Sequence, residues 1–331
     1  MRIAIDAMGG DHAPEEIIKG ALMALELHED LHIIFVGREQ EIAKCLQSST
    51  IKYSSPRISI VHAQEVITME DHPATVYRKK KDASITVATR LVKEKKADAV
   101  VSAGSTGGQM VAALFGLGRL ESIDRPAIGT VLPTLLGPKI MLDAGANADC
   151  KPENLVQFAK MGDVYARKIL GIVNPRIGLI NIGEEPTKGN ELTIKTYEQL
   201  SAQAGINFIG NIEGRDILAG KADVMVCDGF VGNVVLKVVE GTAGALTTLL
   251  KEALTKDTRS KVGALLLKPG LKGFKKRLDY SEHGGAPLLG VKGVSIICHG
   301  SSKADAVKNA VRAALECVSS DFVKELQDSL K

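Results

Sequence analysis

The sequence predicts an α/β protein with three layers, in which helices cover both faces of a mostly parallel, mixed sheet. Two observations carry this prediction. Short apolar runs rich in Val and Ile alternate with longer segments of helical spacing along the 331 residues, which is the pattern of parallel strands joined by crossover helices. Six of these runs end in a small polar loop that contains glycine, and the loops begin at Asp6, Ser102, Asp143, Asn181, Asp228 and His299.

The same alternation predicts the individual elements, and Pro14 and Pro152 fit the first turns of two helices, with Asp11 as a candidate cap. No fixed period relates the segments, so we expect a single α/β/α domain over residues 1–331 rather than a solenoid. Strands are predicted at residues 3–5, 32–36, 58–61, 99–101, 128–132, 139–142, 176–180, 206–209, 223–226 and 294–297. Helices are predicted at residues 15–27, 39–46, 75–96 (with a break at 82–84), 109–117, 152–170, 191–204, 234–254 and 303–318. The helix at 234–254 is apolar on nearly all sides, which favours burial or a subunit interface.

Composition excludes several classes of protein. The hydrophobic content of 45% and charged content of 24% are ordinary for a soluble globular chain. A net charge of +3, with 4% aromatic residues and no Trp, gives no support for nucleic-acid binding. The five cysteines form no CxxC pair, which is typical of reduced cytoplasmic thiols. We expect neither a signal peptide nor an uncharged apolar stretch long enough to span a membrane.

The loop after the predicted strand at 99–101 is the first candidate site. It reads V-V-S-A-G-S-T-G-G and leads into a helix. Glycines let a ligand approach the backbone, hydroxyls add donors, and the first N–H groups of a helix are free to bind an anion. An ordinary strand-to-helix turn is the structural alternative. The candidate anion-binding residues are Ser102, Gly104, Ser105, Thr106, Gly107 and Gly108.

Familiar catalytic signatures are missing. The loop is not G-x-G-x-x-G, and the chain contains no P-loop, no H-E-x-x-H and no G-x-S-x-G. A dinucleotide, a zinc ion and a hydrolase nucleophile therefore have no support from the sequence. What remains is a set of glycine, hydroxyl, amide, Asp and Lys residues at strand ends, and such a site suits an oxyanion. Because the carboxyl ends of parallel strands meet at one edge, we expect the scattered loops to line one crevice.

Isolated polar residues in the other loops have both functional and structural interpretations. Asp6, Asp143 and Asp228 are able to cap helices, to orient loops or to bind a divalent metal together, and their spacing does not distinguish these roles. Amides and histidines are able to contact an anion or merely to satisfy turns. Cys227 and Cys298 are expected to be small buried side chains. The remaining loop candidates are His12, Asn147, Asn181, Glu184, Lys188, Asn233 and His299.

Two basic clusters stand out. Arg78 and Lys79 begin a run of four cations, which is a solvated helix face or a phosphate contact. Residues 256–277 carry eight basic residues against one acidic residue, interleaved with leucines, and Pro269-Gly270 is predicted to turn between two half-helices. A basic hairpin with an apolar tip favours contact with an anionic membrane. An acidic partner, which explains the charge, and a dimer contact, which explains the leucines, are the alternatives. The predicted contact residues are Lys261, Leu265, Leu266, Leu267, Lys268, Leu271, Lys272, Phe274 and Lys275.

Taken together, the motifs resemble the bacterial phosphate acyltransferases of the PlsX family. They occur in order over essentially the whole chain. They are D-A-M-G-G-D-H-A-P, V-S-A-G-S-T-G-G, L-D-A-G-A-N, N-I-G-E-E-P-T-K-G-N, C-D-G-F-V-G-N, G-G-A-P-L-L-G and C-H-G-S-S.

The resemblance implies a reaction and a setting. Members of the family transfer a fatty acyl group from acyl carrier protein to inorganic phosphate, which gives acyl phosphate for phospholipid synthesis. Their fold is similar to that of the isocitrate/isopropylmalate dehydrogenase and phosphotransacetylase group. The resemblance also implies a homodimer that associates peripherally with the membrane. A downstream membrane acyltransferase is a further expected partner. No cofactor, covalent acyl-enzyme or nucleic acid is implied.

For this chain, the resemblance makes residues 102–108 the expected phosphate site, with Arg78, Lys79 or Lys188 adding charge. Asn233 or His299 is expected to stabilise the thioester oxyanion, with Asp143 and Asp228 orienting loop partners. Three alternatives remain at this point: an acyl-CoA phosphotransacetylase, a hydroxy-acid dehydrogenase of the same fold group, and a non-catalytic membrane adaptor.

Overall fold

A computed structural model describes residues 1–51, 53, 55–68, 70–71, 73–278 and 284–330, and it describes the backbone alone at residues 55, 73, 74, 269, 272 and 274–278. The strands are β1 Arg2–Asp6, β2 His32–Gly37, β3 Ile58–His62, β4 Ala99–Ser102, β5 Ala127–Ile128, β6 Thr130–Thr134, β7 Gly137–Leu142, β8 Arg176–Ile180, β9 Asn207–Ile212, β10 Val224–Val226, β11 Ala286–Leu289 and β12 Val294–Ile297. The helices are α1 Glu15–Leu27, α2 Glu39–Ser48, α3 Pro73–Lys79, α4 Ser84–Lys93, α5 Thr106–Gly116, α6 Pro152–Lys168, α7 Glu191–Ala202, α8 Gly214–Ala219, α9 Gly229–Thr255, α10 Thr258–Leu278, α11 Ala304–Ser319 and α12 Phe322–Ser329.

The described strands form two mostly parallel sheets. The first has seven strands in the order β3-β2-β1-β4-β12-β11-β5, and β11 is antiparallel to both of its neighbours. The second has five strands in the order β6-β7-β10-β8-β9, and β6 is antiparallel to β7. The predicted mixed, mostly parallel α/β class is therefore confirmed, with its strands divided between two sheets.

Gly129 is the point at which the chain passes from one sheet to the other. The sequence predicts one strand at 128–132, whereas the structure has β5 on one side of Gly129 and β6 on the other. The Gly129 N–H donates to the Pro287 carbonyl at 2.9 Å. A Cβ at this position would lie 3.0 Å from the Ile140 side chain, so a glycine lets β7 approach closely. Periodicity alone did not reveal this change of sheet.

Both faces of the first sheet are buried under helices. Successive residues of β1 illustrate this, because Ile3 and Ile5 belong to one buried apolar cluster and Ala4 belongs to the other. Val311 of α11, a helix that packs on β4 and β12, lies in the first cluster, and Leu91 of α4 lies in the second. Alternating side chains of a strand point to opposite faces, so this arrangement gives the predicted three layers.

The details of three predicted helices differ from the structure. Asp11 does not cap α1, whose N-cap is Pro14 without a side-chain bond. The predicted helix at 75–96 is divided into α3 and α4, with the break where it was expected. The predicted turn at Pro269-Gly270 is wrong, since α10 is continuous through it. The chain instead reverses between α9 and α10, where Asp257 accepts the N–H of Ser260 at 2.8 Å and so caps α10.

Helix α9 is largely exposed in this chain, and Gly229 and Gly232 are its buried residues. The expectation of burial is therefore wrong within one chain, while the alternative of a subunit interface stays a prediction. By length and composition, α9 is the one helix of the described part that is able to cross a membrane, with 11% of its most apolar window buried. The sequence analysis expected no uncharged apolar stretch of this length, and α9 does not contradict that expectation because it carries Lys237 and Glu240. Apolar helices of soluble proteins pass the same test.

Candidate active site

A cleft of about 580 Å³ opens where the carboxyl ends of β4, β7 and β12 meet β5 and the first turns of α9. This is the crevice expected from the strand-end loops, and it brings together four of them. Both polar and apolar residues line it. The polar residues are Thr106, Thr130, Asn233, Lys237, Glu240, His299, Ser301, Ser302, Lys303 and Asp305. The apolar residues are Ile128, Val131, Ala144, Leu236, Ala286, Ile297, Cys298 and Ala306.

Asp6 and Ser102 hold the ends of β1 and β4 together beneath this region. The Ser102 hydroxyl donates to Asp6 Oδ2 at 2.6 Å and accepts the Gly104 N–H at 3.0 Å. Burial raises the pKa of Asp6, and the hydrogen bonds from Ser102 and Met8 oppose that rise. Because Ser102 and Gly104 are already engaged with each other and with Asp6, their donors are used inside the protein.

The start of α5 carries the remaining donors of the predicted phosphate loop. Ser105 is the N-cap, and its hydroxyl accepts the Gly108 N–H at 3.2 Å. In the described structure the N–H groups of Thr106 and Gly107 have no partner, as expected for a helix N-terminus. Thr106 lines the cleft, whereas the other five predicted phosphate residues do not. The structure thus places Thr106 of the six predicted residues in the cleft wall, and the phosphate-binding role of all six stays a prediction.

Asp143 organises the loop after β7. Its two carboxylate oxygens accept five hydrogen bonds, from the N–H groups of Ile128, Gly145, Ala146 and Asn147 and from Asn147 Nδ2, at 2.7 to 3.2 Å. Burial raises the pKa of Asp143, and these donors partly offset the rise. Asn147 also donates to the Pro126 carbonyl at 2.8 Å. Its amide is therefore committed to the loop.

Asn233 lies where α9 enters the cleft. Asp228 caps this helix, since its Oδ1 accepts the Val231 N–H at 2.8 Å. A Cβ built at Gly145 would lie 3.5 Å from the Cβ of Asn233, so the Asp143 loop passes directly beneath the Asn233 side chain. Asn233 is exposed and its amide has no partner in the described structure. It is therefore free to donate to a bound substrate.

His299 faces Asn233 from the end of β12. Its Nδ1 accepts the Ser301 N–H at 3.2 Å and lies 2.8 Å from the Ser301 hydroxyl. Its Nε2 lies 3.4 Å from Nζ of Lys237, a residue of α9. Lys237 also pairs with Glu240 at 2.8 Å. The ring is thus fixed on one side and presents Nε2 on the other.

Other predicted residues do not line the cleft. The loop after β8 is held by a bond within it, from Asn181 Nδ2 to the Lys188 carbonyl at 3.0 Å, and by the pairing of Glu184 with Lys221, which follows α8. Arg78 and Lys79 are exposed at the end of α3, and His12 is half-buried in the loop after β1. In the described part of the chain, Asp6, Asp143 and Asp228 are not gathered into a group able to hold a metal. The positions of these residues leave their predicted roles as predictions.

Comparison with known proteins decides the family. The family model described as "Fatty acid synthesis protein" matches residues 1–325. A phosphate acyltransferase from Heliobacterium modesticaldum is 60% identical over 331 residues, which is 100% of this chain and 98% of the relative. Phosphate acyltransferases from Desulfitobacterium hafniense and Thermoanaerobacter pseudethanolicus are 59% and 50% identical, over 100% of this chain and 97% and 98% of those proteins. The chain belongs to the phosphate acyltransferase family. The identification made from the motifs is confirmed, and the chain is an enzyme that transfers an acyl group to phosphate.

Solved structures agree on the fold. A phosphotransacetylase from Streptococcus pyogenes superposes with a TM-score of 0.63 at 16% identity, covering 97% of this chain and 94% of that one. A branched-chain phosphotransacylase from Enterococcus faecalis gives 0.58 at 16% identity, covering 96% and 99%. A 4-hydroxythreonine-4-phosphate dehydrogenase from Klebsiella pneumoniae gives 0.55 at 12% identity, covering 96% and 98%. The predicted fold group, which joins transacylases and dehydrogenases, is therefore confirmed.

Several residues that line the cleft of this phosphate acyltransferase were not predicted from the sequence. Lys237 and Glu240 lie in a helix that was interpreted as apolar, although Lys237 is one turn beyond Asn233 and so shares its face. Thr130, Ser301 and Lys303 belong to segments without a distinctive motif. The spacing from Asn233 to Lys237 was the one signal available for any of them.

Proposed function

We propose that this phosphate acyltransferase takes a fatty acyl group from the thioester of acyl carrier protein and transfers it to inorganic phosphate in the cleft. The composition of the cleft carries the proposal. The free amide of Asn233, the ring of His299 and the first turn of α5 offer hydrogen-bond donors. Ile128 and Leu236 belong to the apolar part of the wall. A reaction that joins an anion to a lipid chain needs both kinds of surface.

The reaction requires that phosphate be positioned against the thioester and that the developing oxyanion be stabilised electrostatically. An oxygen of hydrogen phosphate attacks the thioester carbon, and the carbonyl oxygen becomes an oxyanion. The intermediate then collapses, the carbon–sulfur bond breaks, and the thiolate leaves with the proton that phosphate brought. The products are acyl phosphate and the carrier thiol. Phosphate is already a nucleophile, so donors aimed at the oxyanion and at phosphate accelerate the step without a covalent acyl-enzyme.

His299 is suited to donation rather than to proton abstraction. Its Nδ1 accepts the N–H of Ser301 at 3.2 Å and lies 2.8 Å from the Ser301 hydroxyl, and we assign the proton of the neutral ring to Nε2 accordingly. Nε2 is the ring nitrogen beside Lys237, a residue of the cleft wall. Asn233 and His299 are therefore the donors that we assign to the reacting groups.

The exposed face of α10 supports contact with the carrier and with membrane. Leu265, Leu266 and Leu267 are 69%, 78% and 57% exposed, and Lys261 and Lys268 flank them. Acyl carrier protein is acidic, so cations favour its approach, and exposed leucines beside cations favour an anionic lipid surface. Leu271 is half-buried. The side chains of Lys272, Phe274 and Lys275 lie outside the described residues. We propose a cytoplasmic enzyme that associates peripherally with membrane, beside a downstream membrane acyltransferase that consumes the acyl phosphate for phospholipid synthesis.

The exposed apolar residues of α9 support a homodimer. Val234, Val238, Leu246 and Leu249 are between 49% and 61% exposed, and a monomer in water gains free energy when such a face is covered. A second copy of the chain is the proposed cover. Size-exclusion chromatography with light scattering tests this directly, and a monomer at micromolar concentration would contradict it.

The central experiment measures thiol release from acyl carrier protein loaded with palmitate. We expect release that requires both enzyme and inorganic phosphate, with acyl phosphate trapped by hydroxylamine. Release without phosphate would identify a thioesterase and overturn the proposal. Equal or faster turnover of palmitoyl-CoA would favour the acyl-CoA phosphotransacetylase alternative, to which the similarity of fold also lends support.

A set of variants tests the predicted phosphate residues in the same assay. Ser105→Ala/Thr106→Ala alters the first turn of α5, and Lys188→Ala removes a charge from the loop after β8. We expect the double variant to lose activity, because Thr106 lines the cleft. Lys188 does not line the cleft. The Lys188→Ala variant therefore tests whether the loop after β8 contacts the substrate. If both variants release thiol at the wild-type rate, the assignment of residues 102–108 and Lys188 to the phosphate site is wrong.

A further inference from the structure

Lys237 is the cation placed most closely among the reacting groups of the cleft. It lies on α9 one turn beyond Asn233. Its Nζ is 2.8 Å from Glu240 Oε2 and 3.4 Å from His299 Nε2. The Lys237 side chain is 49% exposed and the Glu240 side chain 18%. The less exposed carboxylate of Glu240 therefore anchors the more exposed ammonium of Lys237 at the cleft wall.

The hydrogen bonds of His299 determine whether its Nε2, the ring atom beside Lys237, carries a hydrogen. The backbone hydrogen of Ser301 has a fixed position and points at Nδ1 over 3.2 Å. Nδ1 accepts this bond and lies 2.8 Å from the Ser301 hydroxyl, which is also able to donate, and on these contacts we assign the proton of the neutral ring to Nε2. An ammonium group and a ring N–H then lie 3.4 Å apart, and both are donors. Neither is able to satisfy the other, and an anionic oxygen between them would satisfy both.

We propose that Lys237 binds the attacking phosphate, which it shares with Nε2–H of His299. The inference rests on the proposed function for the identity of the anion. A lysine has three N–H donors, and the bond to Glu240 uses one of them. The other two are free for phosphate oxygens. With His299 engaged by phosphate, the amide of Asn233 is the donor left for the thioester oxyanion.

The surroundings fit a phosphate rather than the acyl chain. Thr106, at the N-terminus of α5, lines the same cleft, and the positive end of that helix favours an anion. Lys303 is a second cation in the wall, while Glu240 and Asp305 keep the cleft from being uniformly positive. Lys237 is distinguished from Lys303 by its contact with His299.

Direct binding tests the proposal without any thioester. Inorganic phosphate is titrated into the full-length protein by isothermal calorimetry, with wild type compared with Lys237→Met and Lys237→Arg. A hydrogen bond to a charged group is commonly worth enough for a loss of about 10- to 100-fold in affinity. We expect that loss in Lys237→Met and a smaller one in Lys237→Arg, which keeps the charge. Phosphate affinity unchanged in Lys237→Met would overturn the proposal.

Lys195→Met is the matched control. Lys195 also forms an ion pair within one helix, with Glu191 at 2.6 Å on α7, and it does not line the cleft. Its removal should leave phosphate affinity and the thermal midpoint unchanged. The thermal midpoint of Lys237→Met should also match wild type, because half of that side chain is in water.

Steady-state kinetics separate a phosphate contact from an oxyanion contact. We expect Lys237→Met to raise KM for phosphate about tenfold or more, with KM for the acylated carrier within twofold of wild type. A fall in kcat with KM for phosphate unchanged would place Lys237 at the oxyanion and overturn the assignment. If wild type releases no carrier thiol, the proposed function fails, while the calorimetric comparison still decides whether Lys237 holds an anion.

Discussion

The hydroxyl of Ser102 donates a hydrogen bond of 2.6 Å to the buried carboxylate of Asp6, and it accepts the N–H of Gly104. This hydroxyl was a predicted phosphate ligand, yet it joins two strand ends. Ser102→Ala would leave a buried carboxylate and a buried N–H without this partner, at a cost of about 1–3 kcal/mol. We expect that loss in the free energy of unfolding measured with urea. Phosphate affinity should change far less, and a large loss of affinity at full stability would return Ser102 to the binding site. Ser201→Ala, at an exposed serine of α7, is the control.

Asp143→Asn should disturb both stability and activity. The amide nitrogen would face backbone N–H groups where a carboxylate oxygen now accepts them, so at least two of the five bonds are lost. We expect about 2–4 kcal/mol of destabilisation by urea unfolding. The Gly145 backbone lies beneath Asn233, so kcat should fall as well. Asp149→Asn changes an exposed residue of the same loop. It should alter neither the free energy of unfolding nor kcat. A stable Asp143→Asn enzyme would contradict the structural role.

Asn233→Ala tests the proposed oxyanion donor. Removing one such donor commonly lowers kcat by a factor of about 10²–10³. We expect that fall in carrier-thiol release, with the free energy of unfolding unchanged because the side chain is exposed and unpartnered in the described structure. Asn174→Ala removes an exposed amide far from the cleft wall and serves as the control. An Asn233→Ala enzyme within threefold of wild-type kcat would rule the assignment out.

Asp223 links the amino-terminal ends of three strands of the second sheet. It accepts bonds from Arg176 at 2.9 Å and from Lys139. These donors lower the pKa of Asp223 from 3.8 to about 2, against the opposing effect of burial. A carboxyl whose pKa is depressed by folding stabilises the native state above its unfolded pKa, and that contribution is lost as pH falls towards 2. A shift of this size is worth about 2 kcal/mol.

Urea unfolding of wild type and Asp223→Asn between pH 7 and pH 2 measures this contribution. The variant should be less stable at pH 7 by about 2–4 kcal/mol, because it leaves two cations without their carboxylate. The difference between the two proteins should shrink between pH 4 and pH 2, where the wild-type carboxylate takes up a proton. Glu26→Gln removes an exposed carboxylate of α1 and should show no such difference. A gap that stays constant with pH would contradict the pKa assignment.

Leu266→Glu/Leu267→Glu tests the proposed membrane contact. Both side chains are exposed beside Lys268, so the change should leave folding intact and place two charges where apolar groups would enter lipid. We expect wild type to float with vesicles that contain phosphatidylglycerol, and the variant to remain in the soluble fraction. Val173→Glu alters another exposed apolar residue, 90% exposed, and should float like wild type. If the double variant still floats with the vesicles, the proposed membrane contact is wrong.

The sequence by itself determined the class of fold, most of the strands and helices, and the loops from which the site is built. These properties depend on local pattern, because apolar runs form strands, helical spacing forms helices, and parallel strands end at a common edge. The motifs also determined the family. Asn233, His299 and Thr106 were identified in this way, and all three line the cleft.

Tertiary structure decided which donors remain free for a substrate. Ser102 meets Asp6 across 96 residues of sequence, and Lys237 meets His299 across 62. A hydrogen bond depends on distances of a few tenths of an ångström, and no pattern along the chain records such distances between remote segments. In the loop predicted to hold phosphate, Ser102, Gly104 and Gly108 therefore use their donors inside the protein, while a lysine in an apolar helix lines the cleft.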